Sequence, residues 1–346
     1  HHHPATMEQV KQVVDETLRY AIARASSTLT SVQRNAFHQE SVFEVQSYLI
    51  GVIEASVAVL GGPGVTSYGK DIINIILTIL HSPNIAAHED CLRTAGQMAQ
   101  EIGADFSGYM AHIWPYLGGY LKDVNRGSSY MTAVLAISDV ARAIEGRILN
   151  YCDDIVGSLL SALSSPTLES RAKPPTLSCL GDIALAIGGR FTRYAEPTMT
   201  LLEQATLFDM PSILDDTIPA QTMLRNDLWE GILVAYSGVI MGLREAPPVQ
   251  FANLVKVHMA TMLGFIRKIS ETFVSVDGSP RYGLEPVLRA SCGLLVDLGS
   301  AVGPSGVHGL RTNFVQTLLQ GCINSNLLTE KTRDVALFAR KAIYGQ

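Results

Sequence analysis

Five carboxylates are spaced so that they could bind a long, positively charged ligand. Asp139, Asp182 and Asp297 occupy equivalent positions in similar apolar-periodic segments, and Asp227 and Glu230 lie one turn apart in another. On stacked helices, residues separated by whole repeats form a row, which we call the acidic ladder. Such a row predicts charge-assisted binding of a helix rich in Lys and Arg. The alternative is that each carboxylate only hydrogen-bonds a neighbouring helix.

Catalytic and metal-binding patterns are weaker. No histidine after the first three forms H-x-x-x-H or H-E-x-x-H, and His81 and His88 flank a Ser-Pro-Asn turn typical of a solvated loop. The glycines at 61–64 lack the Lys-Ser/Thr of a phosphate loop. Residues 299–303 have the letters of a nucleophile elbow but fall at a helix end rather than after a strand. The sequence therefore predicts a protein that is no enzyme and that holds no metal or cofactor.

The cysteines point to an intracellular protein. Their number is odd, they are widely spaced, and none forms C-x-x-C; they are Cys91, Cys152, Cys179, Cys292 and Cys322. Each has apolar neighbours, so we expect reduced core residues rather than disulfides or zinc ligands.

Composition narrows the class of partner. The 346 residues are 47% hydrophobic and 17% charged, with 26 Lys+Arg against 32 Asp+Glu and a net charge of −6. This composition excludes a disordered chain and disfavours direct nucleic-acid binding, which needs excess cations. The longest candidate apolar stretches, at 72–80 and 232–243, are shorter than the roughly 20 residues of a membrane span, so no membrane is expected. Residues 1–3 resemble the remnant of an expression tag and are set aside.

The pattern of apolar residues is helical. Positions i, i+3, i+4 and i+7 are apolar in most long segments, including 10–25, 45–60, 130–144, 148–163, 177–187 and 314–319. Gly-Gly, Ser-Pro and Ala-Pro-Pro separate these segments, and alternating strand-like runs are missing. The predicted class is all-α.

A repeat of about 42 residues organises these helices. Residues 95–106, 137–148 and 180–191 align, and Tyr68, Tyr109, Tyr151 and Tyr194 are separated by 41, 42 and 43 residues. This period predicts an α-α superhelix, a HEAT/armadillo-type solenoid of roughly eight helix pairs, continuous over 4–346. The small residues Gly96, Ser138 and Gly181 would let adjacent helices approach, the glycines after each helix would form left-handed caps, and the tyrosine rings would pack between layers. Longer connections are expected at 206–221 and 275–281.

Several ordered segments resemble the importin-β family. Residues 173–189 resemble one inner-helix segment of that family, 233–243 and 293–303 match the next segments in the same order, and 331–343 resembles its C-terminal end. Together they cover most of 130–343. The resemblance implies the C-terminal part of a longer receptor, less than half of its length.

The resemblance also implies partners. The inner helices would bind the basic importin-β-binding helix of importin-α, or cargo, and the outer helices would bind the phenylalanine-glycine repeats of nucleoporins. Ran-GTP would bind mainly through repeats that this chain does not contain, and the receptor would move between cytoplasm and nucleus through the nuclear pore. We expect a monomer.

The resemblance assigns the binding residues one by one. Asp182, Asp227, Glu230 and Asp297 match acidic inner positions of the family, as does Asp139. Phe338 stands where the family has a tryptophan, which leaves a weaker aromatic platform for a cation. Trp229 stands where a charged residue is expected and is either a contact or a packing residue. The alternative function is that of a HEAT scaffold, such as a phosphatase regulatory-type subunit, which would not bind a basic helix.

Overall fold

The protein is all-α, as predicted. The computed structural model describes residues 6–31, 39–208, 219–273 and 284–345, and within these ranges it contains no β-strand. The described residues form fourteen α-helices, or seven pairs where roughly eight were predicted. The expected connections at 206–221 and 275–281 lie largely outside the described residues.

The chain divides into two compact units, His1–Ser158 and Leu159–Gln346. Unit 1 contains α1 (Met7–Ser31), α2 (Gln39–Thr66), α3 (Gly69–His81), α4 (Ile85–Ile102), α5 (Ser107–Leu121), α6 (Ser128–Ile144) and the start of α7 (Cys152–Ser164). Unit 2 contains the end of α7, α8 (Lys173–Ile187), α9 (Thr192–Leu207), α10 (Pro219–Leu243), α11 (Pro248–Phe273), α12 (Glu285–Gly306), α13 (Asn313–Asn324) and α14 (Glu330–Tyr344). That both units belong to one continuous solenoid stays a prediction.

Each unit is built of two layers of helices. In unit 1, α2, α4 and α6 pack side by side, with α3 and α5 behind them; in unit 2, α8, α10, α12 and α14 do so, with α9, α11 and α13 behind. We call the first set the inner layer and the second the outer layer. A central inner helix is covered on both flanks and at its back, so the apolar residues of three sides form the core and one face is left exposed.

The inner helices of unit 2 run in the same direction and touch closely. A Cβ on Gly238 of α10 would lie 2.5 Å from the Cα of Gly181 in α8, and a Cβ on Gly231 would lie 3.0 Å from the Cα of Pro174. Because residue numbers rise together on both helices, α8 and α10 are parallel. The predicted role of Gly181 in close approach is confirmed, and so is that of Gly96, whose Cβ would lie 3.0 Å from the Cα of Ala136.

A recurrent turn ends the inner helices. One residue at each of these turns has a positive φ. These residues are Gly61 (71°), Gly103 (74°), Glu145 (49°), Gly188 (58°) and Gly303 (66°). The positive φ was expected, but ψ is −142° at Gly103 and −130° at Gly188, which is not the left-handed helical region. The predicted left-handed cap is therefore wrong in its second dihedral, and a short 3₁₀ turn follows instead.

Two of the four periodic tyrosines, Tyr68 and Tyr151, contact side chains of earlier helices. The Tyr151 ring lies 5.3 Å from that of Trp114 in α5. The Tyr68 hydroxyl donates to Asp15 of α1 across 2.6 Å. The predicted packing of a tyrosine ring against a neighbouring helix pair is therefore seen at Tyr151, whereas Tyr68 makes its contact through the hydroxyl group.

The structure confirms the expectation for the cysteines and contradicts the one for His88. All five cysteines are buried and unbridged, which confirms their core role. His88, expected in a solvated loop, is instead buried in α4. Its Nδ1 lies 2.6 Å from the Tyr120 hydroxyl and its Nε2 lies 2.9 Å from the Ser82 carbonyl oxygen, so the turn residues satisfy it.

In the part of the chain that the structure describes, two helices are long and apolar enough to cross a membrane by length and composition alone, namely α2 and residues 248–272 of α11. The expectation that no apolar stretch approaches the length of a membrane span is wrong by this criterion. Both helices pack against neighbours, α2 on α1 and α4, and α11 on α12 and α13. Helices of a soluble core pass the same test.

Candidate functional site

The exposed faces of α8, α10 and α12 in unit 2 contain four of the five predicted acidic residues. On α10 this face is the row of residues 223, 227, 230, 234, 237, 241 and 244, spaced alternately by four and three. Residues at this spacing lie along one side of a helix. Asp227 and Glu230 belong to the first half of that row. On α8 and α12 the equivalent rows contain Asp182 and Asp297.

Asp297 is tied to the neighbouring inner helix. It accepts a hydrogen bond from the side chain of Ser237 in α10, and Arg244 lies near enough to attract it. Burial nevertheless dominates and raises the pKa of Asp297, while Ser237 and Arg244 oppose the shift. Asp297 therefore both stacks α12 on α10 and carries a partly exposed carboxylate.

Asp139 of unit 1 repeats this arrangement. Its Oδ1 accepts hydrogen bonds from Gln100 Nε2 of α4 and from Arg142 Nη2, each across 2.6 Å. The side chain is 22% exposed, and burial raises its pKa against the effect of both partners. Because Arg142 already pairs with it, Asp139 has less charge to offer than the other members of the ladder.

Asp227 and Glu230 form the strongest local concentration of negative charge in the row. Asp227 is exposed and Glu230 is half-buried. Burial raises the pKa of Glu230, the charge of Asp227 raises it further, and Arg289 of α12 opposes the shift. A cation placed over these two residues would relieve their repulsion.

Asp182 lies on α8 beside the closest helix contact. It is half-buried and follows Gly181, which touches α10 at Val234 and Ala235. Asp182 and Asp297 are therefore on opposite flanks of the same stretch of α10.

The two aromatic candidates have different settings. Phe338 is 67% exposed on α14, on the same face as Asp334 and Lys341. Trp229 is only 7% exposed and packs edge-on against Phe265 of α11, with ring centroids 6.1 Å apart. Its position supports the packing alternative, because the ring points toward the outer layer.

Sequence reasoning missed two sets of residues. The first is a pair of stacking contacts in which a glutamate binds a threonine of the next inner helix: Thr132 to Glu89 at 3.2 Å and Thr332 to Glu285 at 2.8 Å. Their separations of 43 and 47 residues could have signalled them. The second is a set of exposed apolar residues beside the carboxylates, Leu185, Val234 and Met241, which in one sequence look like core.

The carboxylates of these inner helices are spread out rather than gathered at one point. Within the described residues no three His, Cys, Asp or Glu side chains come together to hold a metal ion. The carboxylates are distributed along helices, with Ser, Gln and Arg as their nearest polar partners. Such a surface can attract a long cationic ligand at several points.

Comparisons with known proteins identify the family to which the chain is similar. Residues 4–324 match the family model described as importin subunit beta-1-like, TPR repeats. The importin subunit beta-1 of Arabidopsis thaliana is 31% identical over 324 residues, which cover 92% of this chain and 35% of that protein. That of Schizosaccharomyces pombe is 29% identical over 329 residues, with the same coverage. The chain thus spans about a third of the length of these relatives.

Solved structures agree on the fold. A crystal structure of importin beta in an ammonium sulfate condition superposes with a TM-score of 0.83 at 24% identity, covering 96% of this chain and 38% of that one. Yeast importin-beta (Kap95p) superposes with a TM-score of 0.79 at 22% identity, covering 98% and 38%. A Kap95:Nup1 complex matches at 0.78, with 22% identity and the same coverage.

Proposed function

Because this chain belongs to the importin subunit beta-1-like family, we propose that it forms part of a nuclear import receptor and binds a basic helix on the inner layer of unit 2, without catalysis. The observation that carries the proposal is the placement of Asp182, Asp227, Glu230 and Asp297 on exposed faces of three adjacent parallel helices. Several modest charge contacts along one ligand add up to useful affinity and orientation.

The ligand proposed for this face is the importin-β-binding helix of importin-α, or a cargo segment of similar charge. The raised pKa values of Glu230 and Asp297 support this choice, since a cationic ligand stabilises carboxylates that burial has made costly to ionise. Asp139 contributes less because Arg142 pairs with it. Phe338 offers an exposed ring for a ligand cation at the α14 end.

The test is fluorescence anisotropy of a labelled importin-β-binding peptide titrated with the full chain across a salt series. We expect binding at low salt that weakens as salt increases, because the contacts are partly exposed. The variant Asp182→Lys/Asp297→Lys should weaken binding at least tenfold, since each change replaces an attraction by a repulsion.

A matched control keeps the same change in net charge. Asp154→Lys/Glu196→Lys alters exposed acidic residues of α7 and of the outer-layer helix α9 and should leave the affinity within twofold. Circular dichroism should show equal helical content for both double variants. If the inner and outer variants bind equally well, the ladder serves stacking only and the proposed site is wrong.

The outer layer provides a second candidate interface, for phenylalanine-glycine repeats. One apolar cleft of about 390 Å³ opens between α11 and the end of α12 and is lined by Ala252, Val255, Met259 and Val302, among others. A second, of about 380 Å³, is lined by Leu177, Leu201, Phe208, Leu228 and five further residues. Both clefts have the size to admit a phenylalanine ring, and the first also has an apolar lining, whereas Ser164, Lys173 and Gln204 contribute to the second. A relative of this chain, Kap95, forms a complex with Nup1, which supports a nucleoporin as the partner of this layer.

Filling the first cleft tests this interface. Ala252→Gln should reduce binding of a labelled peptide with several Phe-Gly repeats, because the longer polar side chain occupies the space of the ring. Asn253→Gln, on the exposed side of the same helix, should leave binding unchanged. Equal binding by both variants would remove this cleft from the proposal.

The remaining assignments follow from the family. The relative Kap95p binds RanGDP, so we propose that Ran acts on the whole receptor, mainly through parts this chain does not contain. The receptor would then work between cytoplasm and nucleus at the nuclear pore. A HEAT scaffold, such as a phosphatase regulatory-type subunit, remains the second candidate, and failure of the basic helix to bind at low salt would favour it.

A further inference from the structure

The exposed face of α10 is not uniformly acidic. Its first half contains Asp227 and Glu230, but its second half contains Val234 and Met241, which are 36% and 37% exposed. Leu185 of α8, 53% exposed, lies beside them, because a Cβ on Gly242 would be 3.2 Å from the Leu185 backbone nitrogen. We call Leu185, Val234 and Met241 the apolar strip.

Carboxylates flank the apolar strip on both sides. Asp182 lies one turn before Leu185 on α8, and Gly181 next to it touches α10 at Val234. Asp297 of α12 lies on the other side of the strip. It accepts a hydrogen bond from Ser237, which lies between Val234 and Met241 in the α10 row. Large aliphatic side chains are seldom left exposed in a contiguous group unless a partner covers them.

We propose that the ligand of this face is an amphipathic helix whose bulky aliphatic residues cover the apolar strip while its basic residues meet Asp182 and Asp297. This rests on the proposed function and specifies its ligand. A purely basic segment would leave the strip exposed to water, whereas aliphatic residues flanked by Lys or Arg match both features.

The spacing of the inner helices sets the spacing in the ligand. Packed helices have axes about 8–10 Å apart, and a helix rises about 1.5 Å per residue. A ligand helix that crosses α8, α10 and α12 therefore advances roughly five to seven residues from one inner helix to the next. We expect an aliphatic residue with a basic neighbour to recur at about this interval.

Two synthetic peptides separate this inference from the proposed function. Both are 22-residue helices with arginines every seven residues; one has leucines next to them on the same face, and the other has alanines there. The full chain should bind both with salt-dependent affinity but the leucine peptide about tenfold more tightly.

Substitutions in the chain test whether the apolar strip causes the preference for the leucine peptide. Val234→Thr/Met241→Gln keeps the side-chain size and should remove the preference for leucine without changing the affinity for the alanine peptide. The control Val249→Thr/Val257→Thr alters residues of α11 that are even more exposed, at 73% and 69%, and should preserve the preference.

The outcomes are distinguishable. If neither peptide binds at low salt, the proposed function fails and this inference with it. If both peptides bind equally, or if the preference for leucine survives Val234→Thr/Met241→Gln, the apolar strip is not the recognition element while the acidic site stands. Loss of the preference in that variant alone supports the inference.

Discussion

At the scale of single residues, the two roles that the sequence left as alternatives for the inner-layer carboxylates are compatible. Asp297 and Asp139 make the stacking hydrogen bonds of the structural alternative, and both remain partly exposed. Their burial is only partial, so each keeps a carboxylate surface that a ligand cation can reach. Stacking holds the carboxylate in place and thereby reduces the entropy lost on binding.

The raised pKa of Asp297 predicts a pH dependence of stability. The native protein binds this proton more readily than the unfolded chain, whose carboxyl has a pKa near 3.9. The resulting stabilisation is present at low pH and is lost as pH rises through the raised pKa. Asp297→Asn retains the acceptor for Ser237, so its free energy of unfolding should fall less with rising pH. Urea denaturation from pH 4 to 7 measures this.

Glu285 provides a control of opposite sign. Burial pushes its pKa up, but hydrogen bonds from Thr329 and Thr332 outweigh burial and lower the pKa overall. The stabilisation from ionised Glu285 is present above the ordinary pKa of Glu and is lost as pH falls. In Glu285→Gln, the free energy of unfolding should therefore decrease less at acid pH than in the wild type. Identical slopes for wild type and Asp297→Asn would contradict the assignment.

The backbone conformation of Glu145 predicts that replacing this residue by glycine stabilises the protein. Among described residues it is the one non-glycine with positive φ, at 49° with ψ −128°, a region that glycine occupies without strain. Glu145→Gly should raise the free energy of unfolding by about 1 kcal/mol. Gly103→Ala, at the equivalent turn of α4 with φ 74°, should lower it by a similar amount. A decrease in stability for Glu145→Gly in urea would show that the glutamate side chain makes a compensating contact.

Residue roles were harder to predict from the sequence than residue types. Acidic positions could be identified because they recur with the repeat, whereas the burial of Trp229 depends on Phe265, which is distant in sequence. His88 was misassigned for the same reason, since Tyr120 satisfies it from 32 residues away. The exposure of Val234 and Met241 also depends on which side of α10 its neighbours cover, and apolar periodicity does not contain that information.

At the scale of elements, the contact between α8 and α10 brings two helix backbones unusually close. Gly181 and Gly238 make this approach possible, and a Cβ on Gly238 would be 2.6 Å from the Gly181 carbonyl oxygen. The sequence predicted Gly181 as a close-approach residue from the repeat, and it also predicted that the inner helices end at glycines. The ψ angle of those turns was missed because the sequence signals glycine's conformational freedom without fixing both dihedrals.

This contact predicts an asymmetry between two glycine substitutions. Gly238→Ala should destabilise the protein by several kcal/mol, because the new methyl group meets backbone atoms that side-chain rotation cannot move away. Gly264→Ala on α11 has nothing within 4 Å and should instead stabilise by about 0.5–1 kcal/mol, through helix propensity. Thermal unfolding of both variants measures the difference, and equal melting temperatures would contradict the close contact.

At the scale of the whole molecule, binding and stability should respond differently to salt. The chain has a net charge of −6, yet its core is apolar and its ion pairs are largely exposed, such as Arg267–Glu271 at 64% and 67%. Exposed pairs contribute little to stability and are screened within about 10 Å at 0.1 M salt.

We therefore expect a rise from about 0.05 to 0.5 M NaCl to weaken binding of a basic helix at least tenfold while changing the free energy of unfolding by less than about 1 kcal/mol. Anisotropy and urea denaturation on the same samples compare the two. Parallel changes in both would mean that salt acts on the fold rather than on the binding face.

The parallel course of the inner helices has a further electrical consequence. Between α8 and α10, α10 and α12, and α12 and α14, the residue numbers of contacting pairs increase together along both helices. Between α12 and α14, for example, Glu285 contacts Thr332 and Gly299 contacts Ala342. The peptide dipoles of these four helices therefore add instead of cancelling, with positive N-terminal ends along one edge of the layer and negative C-terminal ends along the other. A bound helix with unequally charged ends would experience this gradient and prefer one of two orientations, a polarity set by the backbone alone.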